Sequence, residues 1–120
     1  MHRILVIDDD PSVGSFLRRG LKLEGYTVEV VSEGPAGLAQ LRKFRPDLVI
    51  LDQVLVGMSG LEVLEKLRQA APELPVIMFS GRDEMEEAIG VDAYLVKPVA
   101  FDVLIATVRR LLPSGNGSSS

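Results

Sequence analysis

Residues 4–11 read ILVIDDDP. Four aliphatic residues in a row are typical of a short strand that is buried on both faces. Three carboxylates follow directly, and Asp10-Pro11 has the pattern of a helix N-cap followed by proline at the first helical position. We therefore expect a buried strand that leads straight into a helix, with Asp10 as the cap rather than a metal ligand.

The same alternation of a short apolar run and a helical stretch repeats along the chain. The runs predict strands at 4–7, 28–31, 48–51, 76–79 and 93–96. The second run is interrupted by a charged residue, Glu29, which favours a position nearer the edge of the sheet. Strands that alternate with helices in this way imply right-handed crossovers. The predicted fold class is α/β, a doubly wound five-stranded parallel sheet.

The first helical stretch carries apolar residues at a spacing of three to four. These are Val13, Phe16, Leu17, Gly20, Leu21 and Leu23. The spacing predicts that they face the sheet, with the basic residues Arg18, Arg19 and Lys22 on the opposite side of the helix. The simplest interpretation of such a group of charges is a helix face that is exposed to solvent.

Composition limits the classes of protein that the chain can belong to. It has 120 residues, 47% hydrophobic and 25% charged, which suits one globular domain. The absence of cysteine excludes disulfide scaffolds, thiolate metal sites and cysteine nucleophiles. A net charge of −4 argues against direct nucleic-acid binding. No apolar run approaches the roughly 18 residues of a membrane span, and Asp8 ends the first run too early for a secretory signal, so we expect a cytoplasmic protein.

The C-terminal residues differ in composition from the rest. Residues 114–120 read SGNGSSS, which is typical of a flexible segment. We therefore expect one folded domain over residues 1–112 and a flexible tail or linker over 113–120.

Polar residues follow four of the five predicted strands and are expected to meet, because parallel strands end at the same edge of a sheet. They are Asp8, Asp9 and Asp10 after the first strand, Asp52 after the third, Ser80 after the fourth and Lys97 after the fifth. Closely packed acids repel one another unless a cation lies among them, and oxygen ligands without His or Cys favour Mg²⁺. A carboxylate, a divalent cation, a hydroxyl and an ammonium together suit transfer of a phosphoryl group onto Asp52.

Five segments resemble one known family when taken in this order. They are ILVIDDDP (4–11), PDLVILD (46–52), GMSGLEVL (57–64), PVIMFSG (75–81) and YLVKP (94–98). Over essentially residues 3–112 the chain resembles the receiver domains of two-component response regulators, which have a flavodoxin-like fold. The resemblance implies a phosphoprotein of a phosphorelay rather than an enzyme, with slow self-dephosphorylation.

The resemblance also implies a role for individual residues. Asp52 would be the phosphoacceptor, and Mg²⁺ would be held by Asp52, by Asp9 directly, by Asp8 through water and by the backbone carbonyl of Val54. Ser80 would hydrogen-bond one phosphoryl oxygen and Lys97 would pair with another. Tyr94 would be the switch aromatic that turns inward as Ser80 moves, and Lys97-Pro98 would be a cis peptide.

The implied partners are a histidine kinase or a His-phosphotransfer protein as donor, and a downstream protein or a fused output domain as target. Arg18, Arg19 and Lys22 on the first helix are an alternative docking patch for the kinase. Two rival functions stay open at this point. An interaction module that is never phosphorylated would keep the fold but lose an acid, the hydroxyl or the lysine. A phosphatase that uses an aspartyl phosphate needs a second acid where Val54 stands.

The sequence departs from the family pattern in three places. Val56 stands where proline is usual, and Ser59 where aspartate is common. The segment between Ser80 and Lys97 is shorter than usual by about one to one and a half helical turns. We expect the helix between the fourth and fifth strands to be shortened or absent, which puts the usual dimer face in doubt. Val54 and Arg82 lie two residues after Asp52 and Ser80, and are predicted to set the lifetime of the phosphorylated state.

Overall fold

The computed structural model describes residues 2–81 and 90–112, and these form a parallel sheet between two layers of helices. The elements in chain order are β1 (Arg3–Ile7), α1 (Pro11–Leu23), β2 (Thr27–Val31), α2 (Gly34–Lys43), β3 (Leu48–Asp52), α3 (Gly60–Ala70), β4 (Val76–Ser80), β5 (Ala93–Val96) and α4 (Phe101–Leu111). The predicted fold class is confirmed, and every predicted strand boundary lies within one residue of the observed one.

The strands are ordered β2-β1-β3-β4-β5, and every pair is parallel. The predicted edge position of the strand with Glu29 is therefore confirmed. The chain passes from β1 outward to β2 and then returns to β3 on the other side of β1, which opens a crevice at the carboxyl end of β1. Ile7 pairs with Leu51, so Asp8 and Asp52 follow at equivalent places on neighbouring strands.

Hydrophobic cores lie on both faces of the sheet, which explains the continuous aliphatic runs. Ile4 and Val6 of β1 belong to the core under α1 and α4. Leu5 and Ile7, which point the opposite way, belong to the core under α2 and α3. The central strands are buried along almost their whole length, so they hold the residues that follow them in fixed positions.

The start of α1 agrees with the prediction, but its apolar face does not agree in full. Asp10 caps the helix, and its Oδ1 accepts a hydrogen bond from the Ser12 N–H at 2.9 Å. Leu17 is buried against the sheet, whereas Phe16 is 52% exposed and Leu23 is 81% exposed. Because successive helical residues are about 100° apart, Phe16 lies on the flank of the helix, where its ring packs edge-on against Phe101.

Three of the sequence predictions fall outside the described residues. Residues 82–89 include most of the segment expected to hold a shortened helix, together with Arg82. Residues 113–120 include the expected tail. Four helices are present among residues 2–81 and 90–112, and the described residues between β4 and β5 belong to none of them.

The Arg68 guanidinium joins the end of α3 to the point where the chain enters β5. It donates hydrogen bonds to the carbonyls of Leu74 at 2.6 Å and Gly90 at 3.0 Å, and to Asp92 Oδ2 at 3.0 Å. Asp92 Oδ2 also accepts from the backbone N–H of Val76 at 2.8 Å. One side chain therefore fixes the starts of both β4 and β5 relative to α3.

Replacing Arg68 with methionine is expected to lower the free energy of unfolding by about 2 kcal/mol. Methionine keeps an unbranched stem but leaves the carbonyls of Pro72, Leu74 and Gly90 and the Asp92 carboxylate without this donor. Urea unfolding monitored by circular dichroism measures the change. Lys66→Met on the exposed side of the same helix is the matched control, expected within about 0.5 kcal/mol of the parent. Equal stability of the two variants would contradict the prediction.

Candidate functional site

Three carboxylates meet at the crevice beyond the carboxyl ends of β1 and β3. Asp8 is 3% exposed, Asp52 is 6% exposed, and Asp9 is half-buried. One carboxylate oxygen from each residue lies within 4.8 Å of the others. The structure thus brings together the acids that the sequence predicted to share a site.

Local hydrogen bonds fix the orientation of the two buried carboxylates. Asp8 Oδ1 accepts from the Asp10 N–H at 2.9 Å, and Asp52 Oδ1 accepts from the Val54 N–H at 3.2 Å. Each bond spans two residues, the pattern of an Asx turn. The other oxygen of each carboxylate is directed at Lys97, whose Nζ lies 3.0 Å from Asp52 Oδ2 and 3.4 Å from Asp8 Oδ2.

Lys97 reaches this position because β5 delivers it beside β4. Its backbone N–H donates to the Ser80 carbonyl at 2.8 Å, which extends the strand ladder by one residue. The Lys97-Pro98 peptide is cis, as the family resemblance implied. The lysine side chain is only partly exposed, so its ammonium lies between the acids and solvent.

The charges in the site perturb one another. Burial raises the pKa of Asp8; the N–H of Asp10 opposes the rise, the nearby Asp52 adds to it, and Lys97 opposes it. Burial lowers the pKa of Lys97, but its hydrogen bond to Asp52 and the charges of both acids outweigh that effect, so the pKa is raised. Three carboxylates are grouped here and one ammonium contacts two of them, so the excess negative charge favours a divalent cation.

A hydroxyl at the end of β4 and a phenol from β5 lie on the same side of the site. Ser80 is fully buried, and its Oγ lies 2.8 Å from the Tyr94 hydroxyl in a hydrogen bond. Ser80 also donates to the Gly81 carbonyl at 2.7 Å. The Tyr94 side chain is thus turned toward Ser80, which places the two residues predicted to form the switch in direct contact.

Sequence reasoning missed Gln53, the buried residue that follows Asp52. Its Oε1 accepts a hydrogen bond from the Tyr94 hydroxyl at 2.7 Å. The signal available in the sequence was a polar residue continuing the aliphatic run of β3. Its partner stands on another strand, 41 residues away, and the sequence alone does not show that pairing.

The loop after Asp52 carries two of the three departures from the family pattern. Val56 is exposed at the tip of the loop. Ser59 caps α3: its Oγ accepts from the Glu62 N–H at 3.2 Å, and the Glu62 carboxylate accepts from the Ser59 N–H at 2.9 Å. Serine therefore performs the capping that aspartate would also provide.

Comparison with known proteins identifies the family. A family model described as the response regulator receiver domain matches residues 4–109. The chain belongs to this family. It is 41% identical over 115 residues to response regulator MprA of Mycobacterium ulcerans, and 39% identical to MprA of Mycobacterium leprae. Each match covers 92% of this chain and 50% of the relative, so the chain spans about half the length of these curated relatives.

Solved structures agree with this assignment. A receiver domain protein from Clostridium thermocellum superposes with a TM-score of 0.88 at 27% identity, covering 93% of this chain and 94% of that one. TrrA of Thermotoga maritima, solved in complex with Mg²⁺ and BeF, gives 0.85 at 33% identity, covering 92% and 99%. NtrX of Brucella abortus gives 0.87 at 32% identity, covering 94% of this chain and 27% of NtrX.

The protein is thus a response regulator receiver domain of the two-component systems. Across residues 2–81 and 90–112, none of the helices has the length and apolar character that crossing a bilayer requires.

Proposed function

We propose that this receiver domain takes a phosphoryl group onto Asp52 from a phosphohistidine of a histidine kinase or a His-phosphotransfer protein. The observation that carries the proposal is the grouping of a buried Asp52 carboxylate with Lys97 at 3.0 Å and with two further acids. A module that is never phosphorylated would lack an acid, the hydroxyl or the lysine. All of these are present here, and Lys97 contacts two of the acids.

The donor set fits magnesium. Asp8, Asp9 and Asp52 offer carboxylate oxygens within 4.8 Å of one another, and the backbone carbonyl of Val54 is the predicted fourth protein ligand. Hard oxygen donors and excess negative charge are what Mg²⁺ requires. When bound, the ion would neutralise charge on the phosphoryl oxygens. The TrrA complex with Mg²⁺ and BeF supports this choice of metal.

The proposed transfer is an in-line displacement at phosphorus. A carboxylate oxygen of Asp52 forms a new P–O bond while the P–N bond of the phosphohistidine breaks, and the leaving imidazole keeps the bonding electrons and takes a proton from solvent. The Lys97 ammonium pairs with one phosphoryl oxygen, and the Ser80 hydroxyl donates to another. Water later hydrolyses the acyl phosphate, so the domain is a phosphoacceptor with slow self-dephosphorylation and not an enzyme.

The proposed response to phosphorylation is a shift of Ser80 and Tyr94. In this structure Ser80 donates to the Gly81 carbonyl and accepts from the Tyr94 hydroxyl. A phosphoryl group on Asp52 would add a charged acceptor, which forms stronger hydrogen bonds than a neutral one. A change in the Ser80 donor is transmitted to Tyr94 because the two hydroxyls are in contact.

The partners are proposed from the surface next to the site. Phe16 is exposed on α1 and, with Lys97 and Val99, lines a largely apolar cavity of about 440 Å³. This cavity supports docking of the phosphodonor over α1, beside Asp52. The target is a downstream protein or an output domain joined to the receiver, as the greater length of the curated relatives and of NtrX suggests. We place this signalling in the cytoplasm, without direct contact to nucleic acid.

Incubation with acetyl phosphate and Mg²⁺ tests the proposed chemistry. The parent is expected to gain one phosphoryl group, measured by intact-protein mass spectrometry, and Asp52→Asn none, because an amide is not a nucleophile here. Chelation of Mg²⁺ with EDTA is expected to prevent the modification. Urea unfolding of Asp52→Asn controls for the fold. A parent that stays unmodified by acetyl phosphate and by a phosphorylated His-phosphotransfer protein would instead support an interaction module that is never phosphorylated.

A further inference from the structure

Gln53 is held rigidly between the phosphorylation site and Tyr94. The residue is buried, with 4% of its surface exposed. Its backbone N–H donates to the Phe79 carbonyl at 2.8 Å, and its carbonyl accepts from the Gly60 N–H at 2.7 Å. The backbone is thus fixed on one side by β4 and on the other by the first residue of α3, so the amide group is directed at Tyr94 by a rigid frame.

Each hydroxyl has one proton, which limits the hydrogen bonds that Ser80, Tyr94 and Gln53 can form at the same time. The Oε1 of Gln53 can only accept, so at 2.7 Å the Tyr94 hydroxyl must supply the proton. The Tyr94 hydroxyl also lies 2.8 Å from Ser80 Oγ, which accepts from Tyr94 and donates its own proton to the Gly81 carbonyl at 2.7 Å. Among the described residues Tyr94 therefore has two acceptors for one proton, and Gln53 is the one that does not involve Ser80.

We propose that Gln53 is a positioning residue that holds Tyr94 in its inward orientation before any phosphoryl group is present. An apolar side chain at position 53 would remove this acceptor while the contact with Ser80 remained, so the orientation of Tyr94 would depend more strongly on the position of Ser80. With Gln53 present, Tyr94 has an acceptor that does not depend on the state of Ser80. The inference rests on the proposed function only in taking Ser80 and Tyr94 as the switch pair.

The orientation of Tyr94 can be followed by ¹⁹F NMR. The chain has two tyrosines, so Tyr26→Phe leaves Tyr94 as the single site for 3-fluorotyrosine. In this background Gln53→Leu, close in size but without hydrogen-bonding groups, is expected to move the resonance toward its position in the urea-unfolded chain. Loss of one net hydrogen bond predicts a decrease of about 3- to 10-fold in the ratio of inward to outward Tyr94.

Two variants separate this effect from simple changes in packing. Gln69→Leu makes the same replacement at an exposed position of α3 and is expected to leave the resonance unchanged. Gln53→Met provides a second, more flexible apolar side chain in case the leucine variant does not fold. Ser80→Ala removes the hydroxyl contact between Ser80 and Tyr94; a resonance that moves in Ser80→Ala but not in Gln53→Leu or Gln53→Met would overturn the proposal.

Beryllofluoride, added with Mg²⁺ as a phosphoryl mimic, measures the same effect by linkage. If the bound state requires an inward Tyr94, Gln53→Leu should bind more weakly than the parent by the factor by which its inward fraction of Tyr94 is reduced, and Gln69→Leu should bind as well as the parent. Equal affinity of Gln53→Leu and the parent would overturn the proposal. Failure of every chain to bind would count against the proposed function instead, and the spectra without beryllofluoride would still decide the role of Gln53.

Discussion

Replacing Lys97 with methionine is expected to slow the phosphorylation of Asp52 by acetyl phosphate by about 100- to 1,000-fold. The Lys97 ammonium lies 3.0 Å from Asp52 Oδ2, close to where the phosphoryl oxygens must gather as the new bond forms. An ammonium fixed in a partly buried site stabilises that charge without first having to reorganise. Methionine fills a similar volume along the stem but supplies no charge and no donor.

The ground state contributes to the same result. Without Lys97, Asp8 and Asp52 remain buried together with no ammonium, so the pKa of Asp8 is expected to rise further and its ionised form to become less populated. The initial rate of phosphorylation is measured by intact-protein mass spectrometry. Saturating Mg²⁺ is used for both proteins, because the bound ion replaces part of the positive charge that the variant has lost. Lys66→Met, an exposed change of the same kind, controls for loss of a surface charge. A rate within about threefold of the parent would exclude an electrostatic role for Lys97.

The sequence predicts the acidic part of the site because strand pairing alone brings those residues together. Asp8 and Asp52 each follow a buried aliphatic strand, and parallel neighbours end at the same edge. Once the order of strands is inferred, the positions of these side chains follow from the backbone. The same reasoning places Ser80 and Lys97 at this edge, since β4 and β5 continue the sheet.

The contacts that the sequence does not predict depend on side-chain directions. The contact between Gln53 and Tyr94 requires two particular rotamers, one on the residue that follows β3 and one on β5, and no local pattern specifies them. The same limit applies to Phe16: the helical spacing shows that it lies near the apolar side of α1, but not that Leu17 and Leu21 already fill the space against the sheet. Arg68 looks like one more charged residue on the solvent face of α3 until its partners are located.

Replacing Gly60 with alanine is expected to lower the free energy of unfolding by about 3 kcal/mol. A Cβ at this position would lie 2.4 Å from the Asp52 carbonyl oxygen and 2.5 Å from the Gln53 Cα. Both atoms belong to the backbone of β3 and its extension, so the clash cannot be relieved by turning a side chain. The first turn of α3 would have to move away from the strand, and the hydrogen bond from the Gly60 N–H to the Gln53 carbonyl would be lost.

Gly14→Ala on α1 separates this effect from the general cost of adding a methyl group to a buried glycine. Its Cβ would meet a side-chain methyl of Val30 at 2.9 Å, which a small shift can relieve, and alanine favours a helix over glycine by up to about 1 kcal/mol. Urea unfolding should therefore place Gly14→Ala close to the parent and Gly60→Ala far below it. Because Gly60 touches the peptides of Asp52 and Gln53, any folded Gly60→Ala protein should also be phosphorylated more slowly. Equal stability of the two variants would show that α3 can retreat from β3 without strain, and that Gly60 does not fix the position of Asp52.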